Sequence, residues 1–235
     1  MGKEVIHQLS LPALAPLFSI IALANSKHAA FAEPAAKLSG HELLKALPPS
    51  SAQLPASAPA GVSFQNSDPP AFVQTLAAAA KAQPTILIDC TSDLSVTELY
   101  PTAIAAGVSV VTPNKKGFSS SDKLWKSIVE AESKPDAGLV YLESTVGAGL
   151  PIISTLRDIL KTGDQVSKIE GVFSGTMSYI FNEFAPPAAA AGTAPAFSEV
   201  VKVAKANGYT VSPVQSRPPV APLTCACSPG ASPGR

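Results

Sequence analysis

Residues 85–112, TILIDCTSDLSVTELYPTAIAAGVSVVT, hold two short β-branched runs on either side of a segment of helical length. The pattern predicts a buried strand at Thr85–Asp89, a helix at Thr97–Ala106 and a second strand at Val108–Thr112. Gly107 stands where a glycine commonly ends a helix. Short strands that alternate with helices indicate βαβ units and a parallel sheet. The stretch therefore predicts an α/β fold.

The same alternation continues on both sides of this stretch. Further predicted helices are Gly2–Leu9, Phe72–Ala82 and 121–132, and further predicted strands are Leu17–Leu23 and Leu139–Leu142. After Pro151 the order of elements changes, which indicates a second unit. Its predicted elements are a helix at Ile152–Lys161, a long strand at Val166–Ser174, and helices at 176–184 and 198–207.

Two regions are rich in alanine, proline and serine, and the chain has 23 prolines in all. Residues 25–70 have the composition of a low-complexity insert, with one short predicted helix at Ser39–Leu47. Residues 211–235 show no periodicity, so we expect a disordered tail there.

Charge and cysteine content exclude several classes of protein. Lys and Arg number 17, as do Asp and Glu, so no net charge attracts the chain to nucleic acid or to an anionic membrane. Cys90, Cys225 and Cys227 are an odd number and form no disulfide framework, which favours a reduced, cytoplasmic chain. An alternative is secretion, because Leu9–Ala24 is apolar and ends in an Ala-x-Ala sequence, although Glu4 is atypical of a signal peptide.

Four blocks of the sequence together resemble the homoserine dehydrogenases, especially the short monofunctional enzymes of fungi. The blocks are IDCTSD (88–93), VVTPNKKGFSS (110–120), VYLESTVGAGLPIISTLRDILKTGDQVSKIEGVFSGTMSYIFNEF (140–184) and VVKVAKANGYT (200–210). The resemblance implies NAD(P)-dependent interconversion of aspartate semialdehyde and homoserine, in threonine and methionine biosynthesis. It also implies a homodimer in the complete family member.

For the fold, the resemblance implies an incomplete Rossmann-type NAD(P)-binding domain at residues 1–150. Part of an α+β catalytic and dimerisation domain would follow at residues 151–210, before a tail that is foreign to the family.

The chain departs from the family pattern at both ends, and we expect it to be truncated there. Family members begin with a strand and a G-x-G-x-x-G motif, whose last glycine would correspond to Gly2. After the position of Thr210 they continue into an acidic stretch that supplies the acid/base Asp and Lys, whereas this chain reads Val-Ser-Pro. The resemblance therefore assigns no catalytic acid or base, and we expect little turnover. The alternative is a non-catalytic, truncated isoform that pairs with an intact subunit.

Candidate cofactor-binding residues follow the two strands of the opening stretch. Thr91 and Ser92 come directly after the first strand, where open parallel sheets bind ligands, although the same residues also suit a simple turn and helix cap. The resemblance places Thr91 and Ser92 at the nicotinamide ribose, Gly2 at the pyrophosphate, and Lys115 between the cofactor and the substrate. From the sequence alone, adjacent lysines in a loop are expected to be solvated; the resemblance changes this for Lys115 and not for Lys116.

The choice between NAD and NADP depends on the end of the predicted strand at 17–23. A carboxylate at this position would bind the ribose hydroxyls of NAD, but the sequence reads Ala-Asn-Ser-Lys. Lys27 would suit a 2′-phosphate, which makes NADP acceptable as the cofactor.

Two further candidate sites lie in the third block. The resemblance implies a sodium or potassium ion on Glu143 and the carbonyl groups of Val146, Ala148 and Leu150; the alternative is an ordinary strand–turn–helix that begins its helix at Pro151.

For the substrate, the resemblance implies contacts from Gly175, Thr176 and Tyr209. Alternatively, Ser174 and Thr176 only cap a helix.

Overall fold

The computed structural model describes residues 1–33, 36, 38–186, 195–209 and 223–227. The helices are α1 (Gly2–Leu9), α2 (Gly40–Ala46), α3 (Pro69–Ala80), α4 (Leu94–Thr97), α5 (Tyr100–Ala105), α6 (Lys116–Ser119), α7 (Asp122–Glu132), α8 (Ile153–Lys161), α9 (Gly175–Phe184) and α10 (Phe197–Ala206). The strands are β1 (Phe18–Ala24), β2 (His28–Ala32), β3 (Val62–Asn66), β4 (Thr85–Ile88), β5 (Val108–Val111), β6 (Val140–Tyr141) and β7 (Leu223–Cys227). A short 3₁₀ helix covers Glu143–Thr145.

The chain forms two compact units. The first holds residues 1–142 and the strand β7, and the second begins at Glu143 and contains α8, α9 and α10. The assignment of residues 1–150 and 151–210 to a cofactor domain and a catalytic domain stays a prediction, because compactness does not say what either unit binds. In the described part of the chain, no helix is both long and apolar enough to cross a membrane.

One sheet with the order β3-β2-β1-β7-β4-β5-β6 runs through the first unit. β4 and β5 are parallel, with Ile88 opposite Val111, and β6 continues the parallel arrangement with Val140 opposite Val110. The part of the sheet formed by β4, β5 and β6 therefore has the predicted βαβ arrangement. The predicted α/β fold class is confirmed. Helix α5 connects β4 to β5, and its Ala103 and Ile104 are fully buried.

The other half of the sheet is antiparallel and includes part of the predicted insert. β1 pairs with β2, and β2 pairs with β3, both in antiparallel register. Residues 25–70 thus contain two strands that the composition did not predict; β2 is mostly alanine, which is depleted in strands. The predicted helix is present as α2, with a capping box between Ser39 and Glu42. Leu23, Ala30 and Leu43 are fully buried in the core of this half.

The expectation of a disordered tail is wrong for residues 223–227, which form β7. This strand lies between β1 and β4 and runs antiparallel to both, with Leu223 opposite Leu23 and Ile88. The two flanking strands carry backbone groups that need partners, and a short run of apolar and β-branched residues can supply them. The other tail residues lie outside the described part of the chain.

The predicted strand at Val166–Ser174 is also wrong. No strand is present there in the described residues of the second unit, and Ile169 and Val172 are 59% and 73% exposed. A strand needs a neighbour for its backbone groups, and the described part of this unit offers none. Helices α9 and α10 pack against each other through Ile180, Val200 and Ala204.

Candidate functional site

The predicted cofactor residues lie on the loops that follow β4 and β5. Since β4 and β5 are parallel, both loops leave the sheet at the same edge. Thr91 is half-buried, whereas Ser92 and Lys115 are exposed. The structure therefore brings Thr91, Ser92 and Lys115 to one edge of the first unit, where α/β sheets bind ligands. Whether they bind a cofactor stays a prediction.

A fully buried carboxylate, that of Asp89, organises this edge. Its Oδ1 accepts the main-chain hydrogen of Thr91 at 2.7 Å. Its Oδ2 accepts from the Asn114 amide at 3.0 Å and from the Tyr100 hydroxyl. A buried carboxylate needs several donors to be tolerated, and Asp89 has them from three directions.

The side chain of Asn114 joins the two loops directly. Its amide nitrogen lies 3.3 Å from Thr91 Oγ1 and donates to the carbonyl of Asp93 at 3.0 Å. Its Oδ1 accepts the main-chain hydrogen of Lys116 at 3.2 Å. Asn114 is only 3% exposed, so these bonds are shielded from competing water.

Thr112 and Tyr100 complete the network beneath the loops. Thr112 Oγ1 donates to the main-chain carbonyl of Asp89 at 2.9 Å, accepts from the main chain of Asn114 at 2.8 Å and lies 3.1 Å from the Tyr100 hydroxyl. Burial and the adjacent Asp89 carboxylate raise the pKa of the Tyr100 phenol, which keeps it protonated as a donor.

Cys90, next to Asp89, is not a nucleophile. Burial, and then the charge of Asp89, raises the pKa of its thiol to about 11. A thiol with such a pKa holds its proton at neutral pH, and only the thiolate is reactive. We interpret Cys90 as a packing residue.

The turn between β1 and β2 lies at the same edge, since β1 and β4 both run antiparallel to β7. Asn25 Oδ1 accepts main-chain hydrogens from Lys27 at 3.0 Å and His28 at 2.9 Å, and its amide donates to the Pro48 carbonyl at 2.8 Å. This fixed turn leaves Ser26 and Lys27 exposed. Whether Lys27 binds a phosphate stays a prediction.

Gly2, the predicted pyrophosphate residue, is the first residue of α1 and is buried. The Met1 carbonyl accepts main-chain hydrogens from Glu4 and Val5, so the helix begins at the very start of the chain. Helix N-termini attract phosphate because their main-chain hydrogens are unpaired. The role of Gly2 stays a prediction.

In the second unit, Glu143 binds the beginning of α8. Its Oε1 accepts from the main chain of Ile153 at 2.9 Å and its Oε2 from Ser154 at 2.8 Å. The loop between them contains two consecutive left-handed residues, Gly147 at φ 69° and Ala148 at φ 53°. The Leu150 carbonyl accepts from the Ile152 amide at 2.9 Å. Helix α8 begins at Ile153, two residues after Pro151, where the alternative interpretation expected it to begin.

The predicted substrate residues line a shallow cleft of about 280 Å³ in the second unit. Gly175, Thr176 and Tyr209 meet there with Tyr179, and the Thr176 hydroxyl donates to the Tyr209 carbonyl. The rings of Tyr179 and Tyr209 stack edge to face with their centroids 5.0 Å apart. Ser174 caps α9 by accepting from Met177, as the alternative interpretation expected.

The residues that the structure describes show no evident transition-metal site. They contain no cluster of three or more His, Cys, Asp and Glu side chains that could hold a metal ion. The cation site predicted at Glu143 is of another kind, since it uses one carboxylate and several carbonyl groups.

Family models cover almost all of the chain up to its tail. The model described as "Homoserine dehydrogenase, NAD binding domain" matches residues 2–142, and the model described as "Homoserine dehydrogenase" matches residues 151–215. The chain belongs to the homoserine dehydrogenase family. The resemblance drawn from the four sequence blocks and the Rossmann-type cofactor domain are thereby confirmed.

Individual homoserine dehydrogenases agree with this membership. The enzyme of Paracoccidioides brasiliensis is 55% identical over 126 residues, which are 53% of this chain and 34% of that protein. The enzyme of Saccharomyces cerevisiae is 54% identical over 128 residues, which are 54% of this chain and 34% of that protein. The chain thus matches about a third of the length of these relatives.

A solved structure shares the arrangement. A crystal structure of a Candida auris protein of unknown function superposes with a TM-score of 0.61 at 40% identity. The superposition covers 79% of this chain and 46% of that one.

Four residues of these sites were not singled out in the sequence: Asp89, Tyr100, Asn114 and Tyr179. Asp89 served only as the end of a predicted strand. Tyr100 resembles an ordinary core aromatic, and Asn114 is one letter of the quoted block PNKKG that was not singled out. Tyr179 lies one helical turn after Thr176, and this spacing was the one signal that could have found it.

Proposed function

We propose that the chain serves the family's reaction, the NAD(P)-dependent interconversion of homoserine and aspartate semialdehyde. The observation that supports this most is the buried network around Asp89, which holds Thr91 beside the loop of Lys115 at the carboxyl edge of β4 and β5. Polar loops fixed at this edge fit the ribose and nicotinamide of a dinucleotide.

The chemistry is a hydride transfer in which homoserine loses a hydride from its carbinol carbon and a proton from its hydroxyl. The nicotinamide cofactor supplies the hydride acceptor when it is bound. The hydroxyls of Thr91 and Ser92 would bind the ribose, and the exposed ammonium of Lys115 would stabilise the negative charge on the substrate oxygen. We assign the proton to no residue of this chain.

We propose NADP as an accepted cofactor because Lys27 lies exposed on a fixed turn at the same edge. A lysine there provides a positive charge for a 2′-phosphate, and the turn Asn25–His28 carries no carboxylate for ribose hydroxyls. The substrate would bind in the second unit, in the cleft of Gly175, Thr176 and Tyr209.

A sodium or potassium ion is a further proposal for the loop after Glu143. The left-handed Ala148 is unusual for a residue with a side chain, and strained backbone of this kind clusters at ligand-binding sites. The ligands would be Glu143 and the carbonyls of Val146, Ala148 and Leu150. Since Glu143 also caps α8, the ion would order the loop and take no part in the chemistry.

A second candidate function is non-catalytic pairing with an intact subunit. It is favoured by exposed apolar side chains in the second unit, among them Ile169, Val172, Met177 and Phe181, which are between 48% and 73% exposed. Exposed apolar residues are typical of a protein interface where they are contiguous. These residues would also serve the homodimer of a complete family member. A cytoplasmic location stays a prediction.

The test is an assay of the purified chain for homoserine-dependent reduction of NADP⁺ and NAD⁺, with Lys115→Ala beside it. Turnover is expected to be low, because no residue of this chain is assigned to the proton, and a fall of at least about tenfold in Lys115→Ala supports the dehydrogenase function. Cofactor binding without turnover, together with co-purification with a tagged full-length fungal relative, supports the pairing function. Absence of both binding and turnover contradicts the proposal.

A further inference from the structure

One buried carboxylate connects the two loops of the proposed cofactor site. Asp89 is 0% exposed and accepts hydrogen bonds from the loop after β4, through Thr91, and from the loop after β5, through Asn114. The bonded residues of the two loops are 21 to 25 residues apart in sequence, so the relative position of the loops depends on such contacts.

The third donor to this carboxylate comes from a different element. Tyr100 is the first residue of α5, is 0% exposed and donates its hydroxyl to Asp89 Oδ2. Its ring also lies 6.3 Å from that of Phe118 in α6, the helix that follows Lys115. A side chain from the βαβ connection is therefore joined to both loops.

None of these buried groups can touch a large ligand from its present position, whereas their hydrogen-bond partners can. Asp89, Tyr100 and Asn114 are at most 3% exposed. Thr91 is half-buried and Lys115 is exposed. The bonds to Thr91 N and Oγ1 determine where the Thr91 hydroxyl lies, and the bond from Lys116 N fixes the start of α6 directly after Lys115.

We propose that Asp89, Tyr100 and Asn114 are positioning residues for the nicotinamide half of the cofactor. They hold the Thr91 hydroxyl and the main chain next to Lys115 at a fixed separation without contacting the cofactor themselves. This inference rests on the proposed function. The proposed role differs from a purely structural one, because the Asp89 carboxylate couples the positions of the two loops to each other.

The first test needs no cofactor. In Tyr100→Phe, Asp89 loses one donor while the ring stays, and Tyr141→Phe is the matched control on an exposed tyrosine of the same unit. Hydrogen exchange is measured at the Thr91 and Lys116 amides, whose hydrogens are bonded inside the network. We expect exchange to become faster at both amides in Tyr100→Phe and at neither in the control. An unchanged Lys116 amide overturns the coupling.

The second test compares two ligands, NADPH and 2′,5′-ADP, which is the adenosine half of NADP alone. We expect Tyr100→Phe to weaken NADPH binding about tenfold, the worth of one hydrogen bond to a charged acceptor, and to leave 2′,5′-ADP binding unchanged. Equal weakening of both ligands, or of neither, overturns the positioning role. Combining Tyr100→Phe with Thr91→Val should give less than the product of the two single effects.

A variant that fails to fold does not end the test. Asn114→Ala opens the same network from the other loop and should weaken NADPH binding with the same selectivity. If the unaltered chain binds neither ligand, the proposed function fails, and the exchange experiment still decides whether Asp89 couples the loops.

Discussion

The Glu143 carboxylate accepts the main-chain hydrogen of Ile153 at 2.9 Å, and its second oxygen accepts that of Ser154 at 2.8 Å. The first main-chain hydrogens of a helix lack partners within the helix, and its N-terminus carries a partial positive charge. Glu143 therefore caps α8 from ten residues away and needs no cation to be stable there. The proposed cation and the helix would share one carboxylate.

Glu143→Ala is expected to lower the stability of the second unit by about 1 kcal/mol, the usual loss for a helix cap. Glu143→Gln keeps one acceptor oxygen and should lose less. The measurement is urea unfolding, with Glu183→Gln as the control at an exposed position of the same unit. Repeating it in sodium, potassium and tetramethylammonium chloride tests the cation. If the unaltered chain has the same stability in all three salts, the cation proposal is wrong.

Alkaline pH should destabilise the first unit. The pKa of Cys90 rises from 9.0 to about 11 on folding, and the pKa of Tyr100 is also raised by burial and Asp89. The unfolded chain therefore releases these two protons at a lower pH than the folded chain does. Their contribution is fully present below about pH 9 and is lost as the pH rises toward 11. Unfolding free energies measured from pH 8 to 10.5 should fall less steeply in Tyr100→Phe than in Tyr141→Phe, and equal slopes would contradict this.

A proline in β7 should destabilise the sheet. Proline cannot donate to a ladder, and β7 pairs on both of its sides, so Ala226→Pro is expected to cost about 1–3 kcal/mol. The control is Ala231→Pro, the same change four residues beyond the strand-forming run in the same tail. The free energy of unfolding by urea decides the matter. A similar value for both variants would mean that β7 contributes nothing to stability.

Reversing the charge of Lys27 should change cofactor preference. Lys27→Glu places a carboxylate at the end of β1, which repels a 2′-phosphate and can accept from ribose hydroxyls. We expect NADPH to bind at least about tenfold more weakly and NADH to bind no more weakly. Isothermal titration with both cofactors measures this, with Lys123→Glu on α7 as the control. Equal losses for NADPH and NADH would remove Lys27 from the 2′-phosphate site.

Local pattern predicted those elements whose periodicity is strong. The helix at Gly2–Leu9 has its predicted bounds, and the strands at 85–88 and 108–111 fall one residue short of theirs. Two strands of the antiparallel half were missed because both lie in sequence assigned to a low-complexity insert, and HAAFA, at 28–32, is mostly alanine, which is depleted in strands. Conversely, Val166–Ser174 has strand-like composition, but pairing with a neighbour decides whether a strand forms.

The candidate site was predictable in its exposed residues and not in its buried ones. Thr91 and Lys115 follow strands, and the family resemblance assigned both of them to the ligand. Asp89, Tyr100 and Asn114 act together only because α5 returns the chain to the sheet and brings their side chains within hydrogen-bonding distance. A contact between three elements leaves no signature in any one of them.

The central claim is that the loops of Thr91 and Lys115 bind a nicotinamide dinucleotide. Trp125, the single tryptophan of the chain, contacts Phe118 of α6 with ring centroids 5.7 Å apart and so reports on this edge. Titration of NADPH into the purified chain, followed by energy transfer from Trp125, measures the binding most directly. We predict saturable transfer that needs at least about tenfold more NADPH in Lys115→Ala but not in the Lys134→Ala control. Absence of saturable transfer in the unaltered chain, or an equal affinity in Lys115→Ala, would contradict the account.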